Sequence, residues 1–453
     1  MTAYRPDPQI LSLGDQFYDA VEPARFPECT LRFANHRWAE RVGLTLDEAR
    51  WARHFCRFEP LPDNLPQPLA LRYHGHQFRV YNPEIGDGRG FTFAQLRDDQ
   101  GRLLDLGTKG SGLTPYSRHA DGRLTLKGGV REVLATEMLE ALGVNTSKSF
   151  ALFETGEALE RGDEPSPTRS AVLTRLSHGH IRIGTFQRLA FFGEVDNIGG
   201  LVRYCLANLY GEPGDDPLRL FDLVSEATAT LAASYLAAGF VHGVLNSDNI
   251  NVTGESFDYG PWRFTPGWNP GFTAAYFDHY GLYSFGRQPE AIHWDLAQLG
   301  GCISLVAEAP KLSELLAAWG ERFESALTKA LVNRLGVAPS ADDAVLGAAL
   351  LAALASREAQ IDRIFFDWRG GRDPGADRYP GESFRALATA LEGRECPVAH
   401  DYWSDDAPCS MHIDEVEAIW SAISERDDWQ PFDDKVNAIR TMGEAMRDDA
   451  PAT

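Results

Sequence analysis

The chain has 453 residues, enough for two or three domains and a large core, and its 43% hydrophobic and 24% charged residues exclude wholesale disorder. Acidic residues outnumber basic ones by 65 to 43, a net charge of -22, which argues against a general nucleic-acid or anionic-membrane surface but not against a local basic pocket. Six cysteines, at positions 29, 56, 205, 302, 396 and 409, form no C-x-x-C pair and no metal-ligand spacing, so a reducing compartment is expected. The N-terminus has no basic-then-apolar signal pattern, and the longest apolar run, 344–355, is shorter than the roughly 20 residues a membrane span needs. The expectation is a cytoplasmic protein with no membrane or nucleic-acid partner.

Residues 1–68 mix aromatics, prolines and charges and read as an N-terminal extension wrapping the main body, with a helix expected at Thr45–Ala52. From Leu69 short β-like runs follow, at Phe78–Tyr81, Phe91–Leu96 and Arg102–Leu106, with the turn residues Asp98–Gly101 between the last two. Two glycine-containing segments sit among them. Gly86-Asp87-Gly88-Arg89-Gly90 offers bare N–H groups and an arginine that suit a phosphate, and Gly107–Gly112 carries Lys109 directly after the third run. Neither matches G-x-x-x-x-G-K-[ST], and glycine-rich turns in a β lobe are ordinarily structural.

Apolar residues at 130, 133, 134, 138, 141 and 142 predict a helix over Val130–Leu142, closed by Gly143. A lysine in a partly buried cleft needs a carboxylate, and this helix offers Glu132 and Glu137. On the helical wheel Glu137 falls inside the apolar arc and Glu132 outside it, so periodicity favours Glu137. Ala171–Phe186 is β-like and carries Arg175 and Arg182, whose planar donors suit phosphate, although both also read as ordinary surface arginines. A long helix is expected at Leu218–Ala238, ending at Gly239.

The next stretch, HGVLNSDNINVTGESFDYG at 242–260, has the spacing of a protein-kinase catalytic loop, H-R-D-L-x-x-x-N, followed by D-F-G. His242, Leu245 and Asn249 fall in register with that loop, and Asp258-Tyr259-Gly260 takes the place of D-F-G after an apolar segment, Ile250–Val252, read as one arm of a hairpin. The two metal-binding positions are filled, by Asn249 and Asp258. The position of the kinase's catalytic Asp is Val244, which cannot accept a proton. Asp248, beside Asn249, is the nearby acid; its ordinary reading is a turn residue. Beyond it come a Pro-, Gly- and aromatic-rich run to Gly286, a helical region over 297–355, helices at Ile413–Glu425 and Asp433–Met446, and an acidic frayed tail.

These motifs resemble the SelO family of bacterial and mitochondrial pseudokinases, also called the YdiU family. The matching segments are YHGHQFRVYNPEIGDGRG at 73–90, LGTKGSGLTPYSRHADGRLTLKGGVRE at 106–132, LTRLSHGHIRIGTFQ at 173–187, HGVLNSDN with DYGP at 242–261, and GLYSFGRQPEAIHWDLAQL at 281–299. The resemblance implies an α+β, protein-kinase-like bilobal fold: an N-terminal extension at 1–68, an N-lobe at 69–187, a C-lobe at 188–345 and a helical C-terminal region at 346–453. It implies ATP bound in a flipped orientation and AMP transferred to Ser, Thr or Tyr hydroxyls of protein substrates, with Mg2+ or Mn2+. Carried over by position, Gly86, Gly88, Arg89, Lys109, Asp121 and Gly122 contact the nucleotide, and Arg175 and Arg182 bind its phosphates. Glu132 pairs with the lysine, against the wheel. Asn249 and Asp258 bind metal, and Asp248 accepts the proton. Two rival readings are a catalytically silent nucleotide-binding scaffold and a phosphotransferase using Asp248. Many relatives carry a Cys or selenocysteine near the C-terminus, whereas the last Cys here is Cys409, so their redox control is not expected.

Overall fold

A computed structural model of the chain describes residues 2–162 and 164–449. The end of the acidic tail, 450–453, lies outside the described residues. The molecule is α+β, with strands concentrated in its first part and helices in the rest. In chain order the first part runs β1 (Tyr18–Ala20), β2 (Thr30–Ala34), α1 (His36–Arg41), α2 (Glu48–Phe55), β3 (Leu69–Leu71), β4 (Gly75–Gln77), β5 (Val80–Asn82), β6 (Thr92–Arg97), β7 (Leu103–Lys109), β8 (Leu124–Thr125), α3 (Leu126–Ala141), β9 (Lys148–Leu159) and β10 (Thr168–Ser177). It continues through α4 (Ile183–Phe192), α5 (Val195–Tyr204), α6 (Pro217–Ala238), β11 (Phe240–Val241), β12 (Arg263–Phe264), α7 (Gln288–Ile303), α8 (Ala309–Ala317), α9 (Trp319–Leu335), α10 (Asp343–Ala355), α11 (Ile361–Asp367), α12 (Glu382–Leu391), α13 (Ile413–Arg426) and α14 (Gln430–Asp448).

The main sheet has the order β1-β3-β6-β7-β10-β9-β2, with β8 paired to β10, and its pairings are antiparallel. Both edge strands come from the N-terminal segment, which therefore builds the sheet as well as wrapping it. Strand β7 is buried along its whole length because both sheet faces are covered. Helix α3 lies on one face with Leu126, Val130, Val133 and Leu134. The N-terminal helices lie on the other, where Trp51 packs 5.0 Å from Phe150 and Phe55 6.0 Å from Phe93, ring centre to ring centre. Cys29 and Cys56 form a disulfide on this second face, Cα atoms 6.0 Å apart, which departs from the reduced thiols expected. Folding of α2 back towards the segment before β2 brings together two cysteines whose sequence spacing carries no signal.

Three local expectations shift for physical reasons. The helix expected at Thr45–Ala52 starts later, at Glu48, because Asp47 caps it by accepting from Arg50 N at 2.8 Å. The run Phe78–Tyr81 is not one strand: Phe78 and Arg79 have φ of 50° and 62° and form the turn between β4 and β5. Glycine and asparagine ordinarily mark such turns. Here the Phe78 N–H is held by Asn246 Oδ1 at 3.0 Å. Ala171–Phe186 divides into the end of β10 and the start of α4.

The C-terminal helices return to the sheet. Arg440 of α14 donates to both Glu137 oxygens, at 2.8 and 3.0 Å, and Phe432 meets Phe33 of β2 edge-on at 6.4 Å. Helix α3 is thus clasped between the sheet and α14.

Candidate active site

The register of the sheet places the first charges. Lys109 ends β7 opposite Leu173 of β10, and side chains alternate along a strand, so Arg175 shares the face of Lys109. Lys109 Nζ donates to Glu132 Oε1 of α3 and stands 2.9 Å from Asp258 Oδ1. Arg175 reaches the same Asp258 oxygen at 3.3 Å. Of the two candidate glutamates, Glu132 is therefore the one beside the lysine. Glu137 is buried because it meets α14 and Asn35.

Arg182 arrives by a different route. The segment Ile250–Val252 is not a hairpin arm with the residues that follow it. It bonds instead to the chain before α4, Ile183 N to Ile250 O and Val252 N to Ile181 O, each at 3.0 Å. This bridge sets Arg182 beside the catalytic loop, where Nη1 donates to the Asp248 carbonyl at 3.3 Å and Nη2 to Asp87 Oδ1 at 3.2 Å. Its guanidinium lies over the rings of Tyr73 at 4.2 Å and Phe257 at 4.9 Å.

The loop itself is braced from below. The His242 N–H donates to Gln288 Oε1 and His242 Nε2 donates to the Phe257 carbonyl, both at 3.0 Å. Burial lowers the His242 pKa, so the ring is neutral and serves as a bracket between the loop and Asp258. Val244 contributes its carbonyl, which accepts from Asn249 Nδ2 at 3.0 Å and leaves the Asn249 side-chain oxygen as an acceptor. Asp258 itself takes a left-handed φ of 63°, a conformation Asp tolerates better than most residues.

The electrostatics differ sharply between the two aspartates. Burial alone would raise the Asp258 pKa, but the Lys109, Arg175 and Arg182 charges outweigh it and hold the carboxyl well below the usual range. For Asp248, burial wins over Arg182, with Asp258 adding repulsion, and its pKa is pushed up to about 6. One carboxylate is fixed as an anion and the other is poised near neutrality. Five buried polar atoms here have no hydrogen-bond partner: Glu132 Oε2, Arg175 Nε, Arg182 Nε, His242 Nδ1 and Asp248 Oδ1. A bound polar ligand could satisfy them.

The structure thus brings Lys109, Glu132, Arg175, Arg182, Asp248, Asn249 and Asp258 into one cluster. Gly86 and Gly88 border it through Asp87, and their loop is zipped to the 111–123 loop. A Cβ on Gly86 would sit 2.5 Å from the Tyr116 ring, so close packing alone demands glycine there. The Arg89 side chain is exposed, with no ion-pair partner among the described residues. Asp121 is exposed and paired with Arg161 at 2.8 Å, away from the cluster, while the Gly122 carbonyl accepts from Gly112 N at 3.1 Å and closes the loop. Residues missed from sequence are Asp87, Tyr73, Phe257, Asn246 and Gln288. Asp87 stood in view inside the GDGR motif, read there only for its glycines and arginine.

A family model described as protein adenylyltransferase SelO matches residues 2–392. The protein nucleotidyltransferase YdiU of Gloeobacter violaceus is 45% identical, over 96% of this chain and 94% of its own. That of Synechocystis is 40% identical over 96% and 98% of the two chains, and that of Cereibacter sphaeroides 37% over 77% and 74%.

Proposed function

The chain belongs to the SelO family and is a protein nucleotidyltransferase, and from that premise we propose that it transfers AMP from ATP to Ser, Thr or Tyr hydroxyls of proteins and releases pyrophosphate. In this reading residues 69–187 are the N-lobe of a kinase-like bilobal fold, its sheet completed by β1 and β2 from the N-terminal extension, 188–345 are its C-lobe and 346–453 a helical C-terminal region. The observation that carries the proposal is the gathering of Lys109, Arg175 and Arg182 around Asp258 and Asp248, with Val244 where a kinase keeps its base. Those cations suit the β and γ phosphates, which turns the α-phosphorus towards the acceptor.

The acceptor oxygen attacks the α-phosphorus and forms the new P–O bond. The bond from the α-phosphorus to the oxygen bridging it to the β-phosphate breaks, and pyrophosphate leaves with that electron pair. Asp248 takes the hydroxyl proton on its carboxylate. Arg182, bonded to the Asp248 carbonyl, holds that residue in place. Lys109 and Arg175 steady the leaving phosphates, and Glu132 keeps the ammonium oriented.

A divalent cation fits this donor set. Asp258 and the Asn249 side-chain oxygen are hard oxygen donors, and among the described residues no group of three or more His, Cys, Asp or Glu side chains could hold a metal. Two protein ligands completed by phosphates and water are the usual coordination of Mg2+, with Mn2+ as substitute. When bound, the ion supplies neutralisation of phosphate charge. Asn249 and Asp258 would hold it, and Asp258, ionised throughout the assay range, is ready to do so.

Incubation with ATP labelled on either the α or the γ phosphate tests the proposal. Protein labelled from α-ATP only, with a mass gain of one AMP, is the expected result, and Asp248→Ala should lose about 10²–10⁴-fold in transfer while ATP still binds. Label from the γ phosphate would make the protein a phosphotransferase. Label from neither would make it a silent nucleotide-binding scaffold.

A further inference from the structure

Protein acceptors of any kind must bring a hydroxyl to Asp248, and the surface next to that residue is unusually aromatic. Phe78, Phe277, Tyr276 and Tyr280 are 36%, 40%, 80% and 94% exposed. Singly exposed apolar residues are normal on a soluble protein, but Phe78, Phe277 and Tyr276 adjoin one another, and Tyr280 follows Phe277 by three residues on the same loop. Phe78 lies 5.8 Å from Phe277 and 5.1 Å from Tyr283, and Phe277 lies 5.1 Å from Tyr276, all measured between ring centres.

The patch is rooted on the catalytic loop. Asn246 Oδ1 accepts from the Phe78 N–H at 3.0 Å and from the Tyr283 hydroxyl at 2.7 Å. Asn246 precedes Asp248 by two residues, at most about 7 Å of backbone. The β4 strand is tied to the same loop, with His76 N donating to Ser247 Oγ at 2.7 Å. The loop beneath the rings is pinned by Asp278, whose carboxylate accepts from Leu282 N and Tyr283 N at 2.8 Å each. Arg79 and Arg287 both pair with Glu290, at 2.8 and 3.0 Å, and the Asp278 carboxylate faces Arg287 as a second anion. A firmly held aromatic surface whose neighbouring charges are paired with one another is what the core of a protein-binding patch requires.

We propose that this surface docks an extended segment of the protein substrate, seating an aromatic or aliphatic side chain of the substrate beside the hydroxyl that receives AMP. The inference rests on the AMP-transfer reading above. Because the patch is rooted on the loop that carries Asp248, the seated side chain belongs within a few residues of the modified hydroxyl.

The test is a positional-scanning peptide library with a central Ser, Thr or Tyr, labelled from α-ATP by the full chain and by its Tyr276→Ser/Phe277→Ser and Tyr280→Ser variants. Wild type should select aromatic or aliphatic residues at one or two flanking positions. The variants should lose that selection and raise KM for the favoured peptide about tenfold, with kcat and calorimetric ATP affinity unchanged. The single Tyr280 variant changes only a solvent-facing ring, so its folding is not in question. Absence of apolar selection by wild type, selection unchanged in the variants, or labelling of whole proteins but of no peptide would each overturn the docking surface. A wild-type protein that transfers no AMP to any acceptor would overturn the function beneath it.

Discussion

Asp258 faces two positive side chains at once through a single oxygen, so its loss unsettles the placing of Lys109 and Arg175 and, in the proposed mechanism, the metal site as well. Asp258→Ala should abolish nucleotide turnover, and a chelator should silence the wild-type protein; turnover in either condition would remove Asp258 from the metal-binding role. Glu255, three residues earlier, supports a different prediction. Burial pushes its carboxyl up to about 7 from an ordinary 4.5, against the pull of Lys148 and of the His178 N–H, which donates to it at 2.8 Å. Between those two values the folded chain keeps a proton that the unfolded chain has released, so this residue makes stability fall as pH rises from about 4.5 to 7. A shift of that size corresponds to something on the order of 3 kcal/mol. Glu255→Gln should match wild type near pH 4 and exceed it above pH 7 in urea unfolding; parallel curves across that range would show that Glu255 titrates normally.

At the scale of elements, α3 shows what a helical pattern can and cannot say. The helix was legible from its apolar spacing, but it is buried nearly all round, from Leu126 to Leu139, so the wheel could not rank its two glutamates. Which neighbour each one meets decides the matter: Lys109 on one side, Arg440 on the other. Arg440→Ala should destabilise the protein, by less than the roughly 3–5 kcal/mol of a fully buried broken pair, because Asn35 still donates to Glu137 and Arg37 lies 3.8 Å away. Chemical denaturation against Glu137→Gln/Arg440→Gln checks this, since the double variant leaves no buried charge and should recover part of the loss. Helix α6 was legible from its long apolar pattern and from Gly239, which ends it in the left-handed region; its start at Pro217, capped by Asp216, lies one residue before the expected one. The catalytic loop was legible because His242, Asn249 and Asp258 keep a fixed spacing. The β4–β5 turn was not, because a tertiary bond from Asn246, rather than local residue preference, holds Phe78 there.

Across the whole molecule, the disulfide and the site lie on different sheet faces. Cys56 packs among the N-terminal aromatics and Glu132 stands on α3. The bond closes a loop with a sequence separation of 27, which chain entropy values at about 3–4 kcal/mol. Replacing both cysteines with alanine should lower stability by that order and leave AMP transfer and its response to reductant unchanged. A severalfold activation would instead give these thiols control over the site. The clasp of α14 on α3 has a consequence in time. Glu137 precedes Arg440 by 303 residues, so at roughly 5–20 residues per second a ribosome needs about 15–60 s to deliver the cation after the carboxylate. From the moment Asp258 is made, 182 residues before Arg440, the nascent chain holds every candidate catalytic residue, yet the helix carrying Glu132 still has one flank bare and a glutamate awaiting its partner. Synthesis must run through α14 before that helix is seated, which makes a half-made chain a client for chaperones rather than an early enzyme.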